Sequence, residues 1–191
     1  MKTKLTFLFA LLLLATGIQA TAQPSAGGIV YGPKGAFNIS APKGWVLDPT
    51  VGLEQGQPCV LYPKGSTWDT ADPLMYARIA GADVEDYEAF AKLAIEDMKG
   101  KRPGFTWKRL ESGKTKGGQP YFINDYPATK AYRRHERVAY AQLPKAVAYI
   151  VFSADEESAF RKHQGALAET VKSLFTMKVD YSGKGKNPEG H

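Results

Sequence analysis

Cysteine is almost missing: the 191 residues contain one, Cys59. A chain with a single cysteine has no internal disulfide, so its core must hold without a covalent staple. In PCVLYP that thiol reads as a small apolar residue of a buried strand. A nucleophile would need a histidine beside it, and sequence places neither His135 nor His163 there. Histidine is scarce as well. His135, His163 and His191 are too few and too scattered for a metal triad, and no metal or cofactor is expected. No pair of carboxylates is spaced for acid–base work and no Ser/His/Asp order stands out, so the chain does not read as an enzyme. Strong charge of one sign is lacking too. Lys and Arg number 25 against 19 Asp and Glu, a net +6, without the density of a nucleic-acid-binding arm.

Long apolar runs are absent except at the start. Lys2 and Lys4 precede the apolar run Leu5 to Ala15, and Ala20-Thr21-Ala22 supplies the small residues of a cleavage site. Residues 1–22 therefore read as a signal peptide. The run is short for a membrane span, and no cysteine near the cut offers a lipid anchor. The expected product is a periplasmic or secreted protein with one domain over 23–180. The tail, 181–191, is Gly-, Lys- and Pro-rich and reads as disordered.

What is present organises around Ala128 to Ala154. Two antiparallel strands meet at a tight turn at Pro144-Lys145, and the second arm, Ala146 to Ala154, is apolar at nearly every position. A strand with one wet face alternates, so this one is expected to be covered on both faces. Shorter strands are expected at Ile29–Tyr31, Phe37–Ser40, Trp45–Leu47, Cys59–Tyr62, Leu74–Ala80, Phe105–Leu110 and Gln119–Tyr126, joined by Gly/Pro turns. A helix is expected after Asp83 as its cap, with Val84, Tyr87, Phe90, Ala91, Ala94, Ile95 and Met98 as its stripe. A second is expected as one piece from Asp155 to Phe175. Runs of strands with two helices imply an α+β fold with a mainly antiparallel sheet.

Three stretches invite a functional reading. Ser112-Gly113-Lys114-Thr115 has the Gly-Lys-Thr of a phosphate loop, but Lys108 stands where the leading glycine belongs and no helix follows, which leaves a hairpin turn. Asp69 and Asp72 flank Trp68 in a loop and make a poor calcium cage. The remaining run, Lys130 to Arg137, is the candidate binding site, with Arg133, Arg134, His135 and Arg137 as its residues. Strand alternation would set Arg133, His135 and Arg137 on one face and Tyr132, Arg134 and Glu136 on the other. Such a run either ends in water beside acidic loops or meets an anionic partner.

The segment Phe37-Asn38-Ile39-Ser40-Ala41-Pro42-Lys43-Gly44-Trp45 resembles the strand–turn–Trp opening of the PsbP-like family, which shares its fold with the Mog-type Ran-binding proteins. Val60-Leu61-Tyr62-Pro63, the helix from Val84, Arg137-Val138-Ala139-Tyr140 and the last helix extend the resemblance over Ile29 to Val179. It implies an antiparallel sheet sandwiched between helices, α/β/α, and a non-catalytic accessory or binding role. The expected function is an exported, non-enzymatic binding protein that contacts a protein or anionic component of the cell envelope. A small exported hydrolase is the alternative.

Overall fold

The computed structural model describes residues 27–178. Both the proposed leader and the tail 181–191 lie outside the described residues. Seven strands form one fully antiparallel sheet: β3 (Trp45–Asp48), β4 (Val60–Pro63), β5 (Leu74–Ile79), β6 (Lys108–Lys114), β7 (Pro120–Tyr126), β8 (His135–Leu143) and β9 (Ala146–Ala154). Their spatial order is β3-β4-β5-β9-β8-β7-β6. A second sheet has β1 (Gly28–Gly32), β2 (Gly35–Ile39) and β10 (Phe175–Met177), with β2 in the middle.

The β8–β9 hairpin is the centre of the large sheet, as its composition requires. Nine pairs run from His135↔Ala154 to Leu143↔Ala146. On one face Ala139, Ala141, Ala148, Ile150 and Phe152 pack beneath the last helices and the small sheet. On the other, Val138, Tyr140 and Val151 pack beneath α1 (Tyr87–Lys101). Every residue of β9 except Tyr149 is buried, so the strand is indeed covered twice. The arrangement is α/β/α, with the three-stranded sheet added to one layer.

Local chemistry accounts for the boundaries. The cap of α1 is Asp86, three residues later than expected, and its carboxylate accepts from Ala89 N at 2.6 Å. Asp83 falls short because Gln142 fixes the start: its amide donates to Glu85 O at 2.6 Å and its oxygen accepts from Tyr87 N at 3.1 Å. The second helix is not one piece. It divides into α2 (Glu157–His163) and α3 (Ala166–Lys172) around Gln164-Gly165, and Phe175 belongs to β10. Glycine carries the highest helix cost after proline, and the break lets each half set its own apolar residues on the sheet. The sixth strand starts later than expected, at Lys108, so Ser112 to Lys114 are strand and the turn begins at Thr115, with Gly118 at φ 82°.

Gly28 and Gly32 let the small sheet approach the large one. A Cβ on Gly32 would stand 2.6 Å from Ile79 Cβ, and one on Gly28 2.5 Å from a Leu47 methyl. No helix among the described residues is long and apolar enough to cross a membrane.

Candidate functional site

The basic run divides at the start of β8. Residues 130–134 are loop, and the strand alternation expected from Tyr132 begins only at His135. From there β8 presents a different set of charges to each layer.

Toward α2, His135 and Arg137 converge on Asp125 of β7, which is buried. Arg137 Nε donates to Asp125 Oδ1 at 2.8 Å, and His135 Nε2 lies 3.1 Å from the same oxygen. Burial alone would raise the pKa of Asp125. The bonds from His135 and Arg137 outweigh it and hold the carboxyl below the usual carboxylate range. Phe160 of α2 covers both side chains: the His135 ring stacks on it at 3.5 Å and the Arg137 guanidinium lies 4.8 Å from its centroid. Arg137 also donates to Gln164 O, and His135 Nδ1 lies 3.4 Å from Glu157. The cluster thus ties β7, β8 and α2 together.

Toward α1, Glu136 pairs with Arg102 at 2.7 Å, and the Arg102 guanidinium lies 3.7 Å over the Tyr132 ring. This pair closes one end of a cleft of about 210 Å³ between α1 and the sheet. Phe90, Tyr76, Tyr140 and Tyr149 are among its walls. Burial, with Glu136 adding to it, pushes the Tyr76 hydroxyl up to about 12, so it stays neutral. Behind it runs a buried chain, Asn124 Nδ2 to Tyr126 OH at 3.1 Å and Tyr126 OH to Tyr140 OH at 2.9 Å.

Between the two layers stands the loop itself. Thr129 N donates to Tyr132 O at 2.7 Å, and Tyr132 N donates back to Thr129 Oγ1 at 3.0 Å. Arg134 makes a two-pronged pair with Asp155, at 2.8 and 3.0 Å, which lowers the carboxyl pKa and raises that of the guanidinium. Of the four residues predicted for the site, His135, Arg134 and Arg137 are therefore engaged within the chain. Arg133 is exposed beside Lys130, and Asp155 feels its charge without bonding it.

The other candidates have structural uses. Cys59 lies in the core, where burial first and Asp48 second push its thiol up to about 12. Asp72 accepts from Asp155 N and Glu156 N at 2.9 and 2.8 Å, so its loop anchors the start of α2. His163 edges onto Trp45, their centroids 5.5 Å apart. The sequence did not point to Arg102 or Asp125, and of the cleft's walls it offered only the apolar stripe of α1, through Phe90, Ala94 and Met98.

No protein-family profile matches the sequence, and no curated protein matches it. Solved structures do. LpqN, involved in cell envelope biogenesis of Mycobacterium tuberculosis, is 18% identical with a TM-score of 0.54, over 79% of this chain and 90% of that one. Cyanobacterial PsbP (CyanoP) from Synechocystis is 12% identical with a TM-score of 0.49, over 85% and 99%. At 18% identity the likeness to LpqN is one of architecture, and the α/β/α arrangement of the chain meets the expectation drawn from the strand–turn–Trp opening.

Proposed function

We propose that the protein is a non-enzymatic binding protein of the cell envelope, exported by residues 1–22, that meets an anionic component through the loop before β8. The observation that carries this reading is the way that loop is held. Bonds at Thr129, Tyr132 and Arg134 fix its backbone, while Lys130 and Arg133 stay exposed. A loop ordered before it binds loses less entropy on binding, and cations already in place steer an acidic surface toward them. Arg134, His135 and Arg137 act here as the frame, and Arg133 is the contact. The alternative, a small hydrolase, loses its nucleophile candidate to the core, since Cys59 is fully buried.

The test is a photo-crosslinking amino acid placed at position 133 in the exporting cell, with position 64, in the turn after β4 and three strands across the sheet from β8, as the control. An envelope component joined at 133 and absent at 64 supports the reading. Equal products at both sites, or none at 133, would refute it.

A further inference from the structure

The small sheet has one face on the core and one face outward. Val30 and Phe37 pair in register and are both fully buried, which fixes the inner side. Alternation then sends Ile29, Tyr31, Asn38, Phe175 and Met177 outward, while Ala36, on the same side between Tyr31 and Met177, is itself buried. Register arranges them in two rows across the three strands, Ile29–Asn38–Phe175 and Tyr31–Ala36–Met177. Ile29 is 36% exposed, Tyr31 62% and Phe175 40%. A sheet face that met only water would be polar at these positions.

Cations stand at the end of the second row. A hollow of about 370 Å³ there is lined by Leu143, Pro144 and Met177, and by the exposed Lys34, Lys145 and Lys178. Among the described residues one carboxylate reaches this group: Glu85, 2.5 Å from Lys34 and also within the field of Lys145.

We propose that this face binds an anionic lipid bilayer, with the two rows entering the boundary between headgroups and acyl chains and the lysines meeting lipid phosphates. Charge selects the occupant. Apolar side chains beside lysines match both layers of such a surface, the oily and the negative. Two copies of the chain set face to face would instead bring lysines against lysines. An acidic peptide would satisfy the lysines and leave Ile29, Tyr31 and Phe175 in water. The surface is separate from the loop before β8 and does not depend on the function proposed for it.

The experiment is co-sedimentation of the chain from Gln23 onward, which contains every described strand and helix, with vesicles of phosphatidylcholine alone or mixed with phosphatidylglycerol. Binding is expected to the mixed vesicles and to weaken as salt is raised. Tyr31→Ser with Phe175→Ser should weaken it about tenfold or more, from the apolar area withdrawn from the interface. Lys34→Gln and Lys145→Gln should each weaken it about fivefold. Leu93→Ser, which removes an exposed apolar side chain from α1, should change nothing. Unchanged melting curves show that each variant folds. The proposal falls if the mixed vesicles do not sediment the protein, or if Tyr31→Ser/Phe175→Ser has no more effect than Leu93→Ser. It also falls if that pair of changes abolishes a dimer instead, or if polyglutamate binds and vesicles do not.

Discussion

Replacing Asp125 by Asn removes one negative charge from the node that joins β7, β8 and α2, with little change of shape. Asp125 is 4% exposed, and the side chains that face it, His135 and Arg137, are 15% and 16% exposed. Water therefore cannot take over the lost bonds. The amide oxygen can still accept from Arg137, so the loss is a charge-assisted bond weakened to a neutral one, and Arg137 keeps Gln164 O and the Phe160 ring. That places the cost at about 2 kcal/mol, below the roughly 3–5 kcal/mol of stripping a fully buried ion of its partner. For a domain of this size the melting temperature should fall by about 4–8 °C. The pH dependence has a defined sign. The folded carboxyl lies below its usual range, so its contribution is present above about pH 4 and disappears as pH falls through the folded value. Wild type and variant should differ fully at pH 7 and converge in acid. Urea unfolding at several pH values reads this, and the same substitution in an Arg137→Met background isolates the pair. A loss under about 0.5 kcal/mol at pH 7, or the same loss with and without Arg137, would refute the account of Asp125 as the acceptor holding α2 to the sheet.

Other substitutions test other joints. Gly32→Ala forces a Cβ to 2.6 Å from Ile79 Cβ, an atom next to the backbone that cannot swing away, and should cost about 1–3 kcal/mol in denaturant unfolding. Asp86→Ala should cost about 1 kcal/mol as the loss of an N-cap, while Asp83→Ala should be nearly silent. Gln142→Ala leaves Tyr87 N and Glu85 O without their partner and should cost about 1–2 kcal/mol, with faster amide exchange in the first turn of α1 as its signature. The Cys59 thiol should resist thiol reagents in the native protein and react at once in denaturant, because burial pushes it up to about 12.

Composition made the hairpin legible because its signal is local. Nine residues from Ala146 that scarcely alternate can only be a strand with two covers, and β9 is that strand. The boundaries were less legible where a distant residue decides them. Asp83 and Asp86 are equally good caps by type. Gln142, 55 residues from Tyr87, selects the later one. The last helix carried one continuous apolar stripe, yet Gly165 and the pairing of Phe175 with Asn38 divide it into two helices and a strand. The three-residue strand β10 is too short for any period to reveal.

The candidate site was hidden for a related reason. A run such as Lys130 to Arg137 looks like a positive patch in sequence because its neighbours along the chain are visible and its neighbours in space are not. Asp125, Asp155 and Arg102 come from 10 to 34 residues away, and they change what each charge is for. His135 and Arg137 become struts under Phe160, and Arg134 becomes the clamp that fixes the loop. What remains positive toward solvent is smaller than the run, Lys130 and Arg133, but it is held still. The reverse happened at the small sheet. Ile29, Tyr31, Phe175 and Met177 are unremarkable in sequence, and only the register of β1 and β10 against β2 sets them on one outward face beside Lys34, Lys145 and Lys178. Pairing in space thus neutralises most of the charge that composition advertises, and it assembles an apolar, lysine-edged surface from residues that no local pattern connects.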